Sequence, residues 1–137
     1  MIGTFAVGPD DLDAPYWAGL AAQELRLQRC PACAAWIWGP QWRCACGCTA
    51  LGWEPVAPHG HVFSWTRTWH PVAAEVVDAV PYVVVLVAVD GTGGRRVLGV
   101  WDTERDPVLG EPVTVTWPAP GEDRRNPYAL VWQAAQP

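Results

Sequence analysis

Apolar positions along this 137-residue chain change period several times, and each change marks an element. Asp13 followed by Pro15 reads as a helix start: an acidic cap, then a proline in the first turn, where its missing N–H costs nothing. Trp17, Leu20, Ala21 and Glu24 follow at helical spacing, which predicts about two turns with Trp17 and Leu20 as a narrow apolar stripe. From Glu24 the period falls to two. Leu25 and Leu27 alternate with Arg26 and Gln28 in a strand, and Ala34 to Trp38 is its return strand, ended by Gly39-Pro40. Leu51 to Glu54 is a further short strand, and Pro55 and Pro58 bracket a linker.

Beyond the linker the pattern is β throughout. His61, Phe63, Trp65, Arg67 and Trp69 alternate with Val62, Ser64, Thr66, Thr68 and His70, which predicts a long strand with its aromatic residues on one face. Val72 to Ala79 is a small-residue connection. Tyr82 to Val89 is mostly β-branched and predicts a central strand covered on both faces. Asp90-Gly91-Thr92-Gly93-Gly94 turns it into Arg96 to Trp101. Two more strands follow, one carrying Val113, Val115 and Trp117, the other running from Ala129 to Gln133. Met1 to Pro9 reads as a loose arm. The chain is thus expected to be mainly β, with an N-terminal helix, a ribbon and a closed five-stranded barrel of the OB type. The expected segments are 1–28, 29–54 and 55–137.

Cysteine usage explains how so small a ribbon holds together. All five cysteines fall between Cys30 and Cys48, as Cys30-Pro31-Ala32-Cys33 and Cys44-Ala45-Cys46-Gly47-Cys48. Two thiol clusters a short ribbon apart supply four thiolates to one tetrahedral zinc ion, in the manner of a rubredoxin-like zinc ribbon. Disulfides would need an oxidising compartment, and Met1 to Phe5 has neither the basic segment nor the apolar core of a signal peptide. A thioredoxin-like pair would leave Cys44, Cys46 and Cys48 without a role. By spacing, any two of Cys44, Cys46 and Cys48 complete the set, and one thiol is surplus.

Composition narrows the partners. Half the residues are apolar, enough for a real core, and the longest apolar run is far short of the ~20 residues that span a bilayer, so a soluble, cytoplasmic protein without a membrane role is expected. The net charge is −5, with nine arginines and no lysine, and a zinc tetrathiolate would carry it to roughly −7. That balance disfavours nucleic acid, whose binding rests on cations displacing counterions, although an OB barrel with exposed aromatics otherwise suits single strands. Ten tryptophans, a residue enriched at interface centres, point to a protein partner for at least three of them.

In this order the segments Pro15 to Leu20, Glu24 to Cys33, Cys46-Gly47 ahead of Trp53, Gly60 to Thr66, His70-Pro71, Pro81-Tyr82, Gly99 and Gly110 to Val113 resemble the zinc-ribbon/OB-fold proteins associated with acyl-CoA, a family long classed as a domain of unknown function. The family pattern puts the last cysteine of a second Cys-x-x-Cys at Cys46 and its first at Arg43, whereas here that cysteine is displaced to Cys44. The resemblance implies structural zinc on Cys30, Cys33, Cys46 and Cys44, with Cys48 the alternative to Cys44. It also implies a working partner: a thiolase-like protein (a thiolase, an acyltransferase or a retro-aldolase on acyl-CoA thioesters) or a hot-dog hydratase, in a hetero-oligomer for which 2:2 is natural. The catalytic residues of such assemblies belong to the larger chain.

The chain's own residues agree with a non-catalytic role. His59 and His61 flank Gly60 at a strand start, and His70 precedes a proline; none has a fixed catalytic companion in the sequence. The cations able to meet coenzyme A phosphates are Arg67, Arg95, Arg96, Arg124 and Arg125. Arg67, between Trp65 and Trp69, is the first choice for a ligand or partner contact, with Trp17 and His70 beside these three. An autonomous acyl-CoA binding protein is the other reading of this surface.

Overall fold

The computed structural model describes residues 12–72, 74–117 and 130–137. The Met1 to Pro9 arm, Arg124, Arg125 and the start of the last strand lie outside the described residues.

Helix α1 (Ala14–Ala21) opens the fold, with a proline in its first turn as the sequence requires. Asp13 does not cap it through its side chain. Its backbone carbonyl accepts from the Tyr16 and Trp17 N–H groups, and its Oδ2 accepts from Trp17 Nε1 at 2.9 Å. The buried stripe is Tyr16, Gly19 and Leu20, with Trp17 at its flank rather than its centre. A Cβ on Gly19 would sit 2.7 Å from the Glu24 carbonyl, so the glycine that weakens the helix is what lets it pack against the chain's next segment.

Three strands follow: β1 (Arg26–Arg29), β2 (Trp36–Ile37) and β3 (Gly52–Pro55). They form an antiparallel sheet in the order β2-β1-β3. Gln28, predicted on the polar face of β1, is instead buried. Its amide donates to the Gln41 carbonyl at 2.8 Å and accepts from the Gln41 N–H at 2.9 Å. It therefore pairs like a piece of strand with a segment that has none, which is how a buried amide is satisfied.

The second sheet closes on itself. Strands β4 (His59–Thr68), β5 (Tyr82–Val89), β6 (Arg96–Trp101), β7 (Pro112–Val115) and β8 (Val131–Ala134) form a barrel in the order β4-β5-β6-β8-β7, and β7 pairs back onto β4. The β6–β8 pair is parallel and the rest are antiparallel. This is the expected five-stranded OB-type closure. Val62, Val85, Val87, Val89, Val97, Val113 and Trp132 fill the interior. Gly99 makes room there: a Cβ would lie 2.5 Å from Cδ1 of Trp132, the largest fully buried side chain.

Two barrel expectations are corrected. The predicted single aromatic face of β4 is broken by a bulge between Val62 and Ser64. An extra residue shifts the two-residue period, so every later side chain changes sides. His59, His61 and Phe63 face outward, while Trp65 and Arg67 pair opposite inward-facing Val85 and Val83. In β5, Val83, Val85, Val87 and Val89 are buried, but Tyr82, Val84, Leu86 and Ala88 are only half-buried. The strand is covered on one face, because a small barrel has one interior and, among the described residues, no second layer outside it. The connection before β5 contains a short 3-10 helix, Ala74–Ala79, and a cis bond between Val80 and Pro81.

Candidate metal centre

Two short turns carry the cysteines, and they are built alike. In the first, the Cys30 N–H donates to the Ala35 carbonyl at 3.0 Å, the Ala34 N–H donates to the Cys30 carbonyl at 2.9 Å, and Ala34 has φ +62°. In the second, the Cys44 N–H donates to the Cys48 carbonyl at 2.9 Å, the Gly47 N–H donates to the Cys44 carbonyl at 2.8 Å, and Gly47 has φ +95°. The hydrogen-bond scheme is the same with one residue fewer. Cys44-x-Cys46 is a Cys-x-x-Cys turn shortened by one position, so Arg43 does not need to be cysteine.

The turns bring Cys30, Cys33, Cys44 and Cys46 together, with all four Sγ atoms within 4.8 Å of one another. Cys30 Sγ lies 3.6 Å from Cys46 Sγ, and Cys33 Sγ 3.6 Å from Cys44 Sγ. Four sulfurs at ~2.3 Å from one tetrahedral ion are separated by about 3.8 Å, so the set is a metal-binding constellation with little adjustment needed. None of the five thiols is in a disulfide. Cys48 is half-exposed and packs against the small cluster of Cys30, Ile37 and Cys44, with Ala35 and Leu51 beside it.

Within the cluster the thiols are shifted in opposite directions. The Cys33 N–H bonded to the Cys30 sulfur, outweighing burial, lowers the Cys30 thiol to about 6. At Cys46 the Cys48 N–H pulls downward, but the Cys30 contact, burial and Cys44 together push the thiol up to about 12. Cys33 is also raised: the Ala35 N–H lowers it, and the contacts with Cys44 and Cys30 outweigh that. Four sulfurs at this spacing ionise together only when a cation takes up their charge.

The other predicted contacts lie on α1, on β4 and just beyond its end. Trp17 and Trp65 are half-buried against the main core cluster, which joins helix, ribbon and barrel residues. Arg67 Nη2 donates to Asp106 Oδ1 in the β6–β7 loop, and its guanidinium lies 5.9 Å from the Trp69 ring centre. Asp106 was not expected from the sequence, because nothing links positions 67 and 106 until the barrel closes. His70 is exposed. Of the ten tryptophans, Trp101 and Trp132 are buried in the core and Trp17, Trp36, Trp38, Trp53, Trp65 and Trp117 pack against it, while Trp42 and Trp69 stand exposed at 73% and 70%. The tryptophan excess is therefore first a core-building device.

No family model and no curated protein matches the chain by sequence. Its fold, however, is similar to solved structures. One is a chain of the Ltp2–ChsH2(DUF35) aldolase, superposed with a TM-score of 0.75 at 25% identity over 94% of this chain and 97% of that one. Another is a protein of unknown function from the DUF35 family of Sulfolobus solfataricus, with a TM-score of 0.60 at 14% identity over 94% and 87% of the two chains. The chain is thus similar in fold to two solved structures described as DUF35 proteins. No helix among the described residues is long and apolar enough to cross a membrane.

Proposed function

We propose that this chain is a non-catalytic subunit that binds and supports a thiolase-like partner, a retro-aldolase, thiolase or acyltransferase, acting on acyl-CoA thioesters. The observation that carries the reading is the 0.75 TM-score likeness, over nearly the full length of both chains, to a chain of the Ltp2–ChsH2(DUF35) aldolase. Steroid side-chain or other lipid breakdown in the cytoplasm is the setting this reading implies. In it Cys30, Cys33, Cys44 and Cys46 hold one structural zinc ion that braces the ribbon, with Cys48 as the surplus thiol. Trp17, Trp65, Arg67, Trp69 and His70 are assigned to ligand or partner contact, and of the three tryptophans Trp69 is the most accessible. Arg67 meets its partner as part of an ion pair with Asp106, not as a free cation for a phosphate.

Co-expression with a thiolase-like protein encoded beside it tests the reading. A hetero-oligomer (2:2 is the expected form) with lyase or acyltransferase activity on acyl-CoA thioesters is the predicted result. A chain that stays alone but binds acyl-CoA would instead be an autonomous carrier. Metal analysis of the purified chain should give one zinc per chain, and a protein containing neither zinc nor iron would end the metal assignment.

A further inference from the structure

The outer wall of the barrel is apolar where a sheet facing water is normally polar. On β6 the outward residues are Arg96, Leu98 and Val100, because Val97 and Trp101 are buried and Gly99 lies against Trp132. Asp102 extends this set by one. Its N–H donates to the Trp132 carbonyl at 2.9 Å, as the Val100 N–H donates to the Leu130 carbonyl at 2.8 Å, so the two residues share one phase of the pleat. The outward positions of β5 lie alongside in register: Ala88 beside Arg96, Leu86 beside Leu98 and Val84 beside Val100. Leu98 is 59% exposed.

Along β6 the wall therefore runs cation, apolar, apolar, anion, an order that is its own complement when reversed. A two-fold axis crossing β6 between Leu98 and Val100, in the plane of contact, lays a second copy antiparallel on the first. Arg96 of each copy then faces Asp102 of the other, and Leu98 meets Val100 at the centre. On β5 the same axis sets Leu86 against Val84 and the small Ala88 against the large Tyr82, apolar on apolar. Both charges are available. Among the described residues neither Arg96 nor Asp102 has an ion-pair partner, and Arg96 rests on the exposed Phe63 ring, its guanidinium 3.7 Å from the ring centre. Asp90, the other acid on this side, is already held by His59 and His61.

We propose that two copies of this chain associate through the β5–β6 wall about such an axis, with reciprocal Arg96–Asp102 ion pairs closing an apolar centre of Leu86, Leu98, Val84 and Val100. A two-fold contact buries the same patch on both copies, so that patch must complement itself. A lipid or nucleic-acid surface calls for cations alone and would leave Asp102 opposed. On association Arg96 exchanges an exposed ring contact for a carboxylate shielded from water between the walls, the stronger of the two. Bounded on β4 by Ser64 and Thr66, the wall holds fewer side chains than the roughly 20–30 a side of a standard interface, so the dimer is weak and concentration-dependent. The contact is independent of the metal centre and of the thiolase-like partner proposed above.

Sedimentation velocity of the full, zinc-loaded chain alone, from about 1 to about 300 μM in low salt, should show a reversible monomer–dimer equilibrium. Leu98→Asp should weaken self-association by at least about tenfold. Arg96→Asp and Asp102→Arg should each do the same, because each sets like charges opposite one another at both ends of the contact. Combining the two restores opposite charges across the axis and should return the affinity to within about threefold of the unsubstituted chain. The three side chains are exposed, so the melting midpoints should stay in place. In NMR spectra of the unsubstituted chain, dilution should move the amide signals of Leu86 and Leu98 and leave those of the ribbon unmoved. A chain that is monomeric throughout the range, a dimer indifferent to Leu98→Asp, a double variant no tighter than the single ones, or dilution shifts confined to the ribbon would each overturn the proposal. The concentration series and the dilution shifts need no substitution, so they decide even if a variant fails to fold.

Discussion

Ala34 and Gln28 show how single residues set the ribbon. Ala34 occupies the left-handed region at φ +62°, the position that Gly47 holds in the second turn. A side chain there costs about 1 kcal/mol, and Ala34 is exposed. Ala34→Gly is therefore expected to raise the melting midpoint of the zinc-loaded chain, less a part of that gain for glycine's extra freedom when unfolded. A lower midpoint would show that the alanine methyl has packing worth more than its strain. Gln28 acts in the opposite sense, through contacts rather than strain. Gln28→Leu keeps the volume but strands both polar groups of Gln41, and it should cost about 2 kcal/mol or more in denaturant unfolding. The pattern Leu25-Arg26-Leu27-Gln28 placed this amide outside because alternation reports only which side chains are apolar. A polar side chain that turns inward to complete someone else's backbone hydrogen bonds leaves no trace in the period.

At the scale of elements, what was legible is what rests on local chemistry. The helix start, the succession of β segments and the first thiol turn are each written in adjacent residues, and the barrel follows from counting those segments. The β4 bulge was not legible, because a one-residue slip reads as continued alternation when polar and aromatic residues lie on both faces. The second cysteine turn is ambiguous for a similar reason: spacing allows three pairs, and only the backbone scheme shared with the first turn brings Cys44 and Cys46 to the point where Cys30 and Cys33 lie. From this the fifth thiol can be separated by experiment. Cys46→Ser should lower zinc content and speed zinc loss to a chromogenic chelator, whereas Cys48→Ser should retain one zinc per chain. Equal loss from both would mean that Cys48 is a ligand. The β6–β7 loop offers a pH test. Glu111 accepts two bonds from Arg105 and one from the Val108 N–H, and Arg105 is first among the causes that hold its carboxyl below 4.5. A carboxyl lowered on folding adds stability above its unfolded value and loses it as pH falls through the folded one. The loop should therefore loosen below about pH 4.5, seen as faster amide exchange at Val108, and Glu111→Gln should show the loosened rate already at neutral pH.

For the whole molecule the question is which surface remains after the core has taken what it needs. Eight tryptophans are in or against the core, so the tryptophans left exposed for a partner are Trp42, on the segment between β2 and the second cysteine turn, and Trp69, just beyond β4. Both are presented from firm backbone. Gln41, beside Trp42, is held on both its polar groups by Gln28, and Trp69 follows directly on the strand that carries the Arg67–Asp106 pair. An exposed tryptophan on a fixed backbone loses little entropy when it enters a pocket, which is what makes an interface anchor. Truncating either should leave folding nearly unchanged, within about 0.5 kcal/mol, because neither is buried in the free chain. Trp132→Ala, by contrast, should cost about 3–5 kcal/mol, since it empties the barrel centre. The decisive comparison is the pair Trp42→Ala and Trp69→Ala measured twice, once for the melting midpoint of the chain alone and once for affinity toward the co-expressed thiolase-like protein. Unchanged midpoint with affinity reduced by at least about tenfold in one of them identifies the docking side, Trp42 the ribbon and Trp69 the barrel end. If both variants assemble as well as the unsubstituted chain, the partner must be held by the half-buried aromatic rows instead, and the exposed tryptophans have some other use.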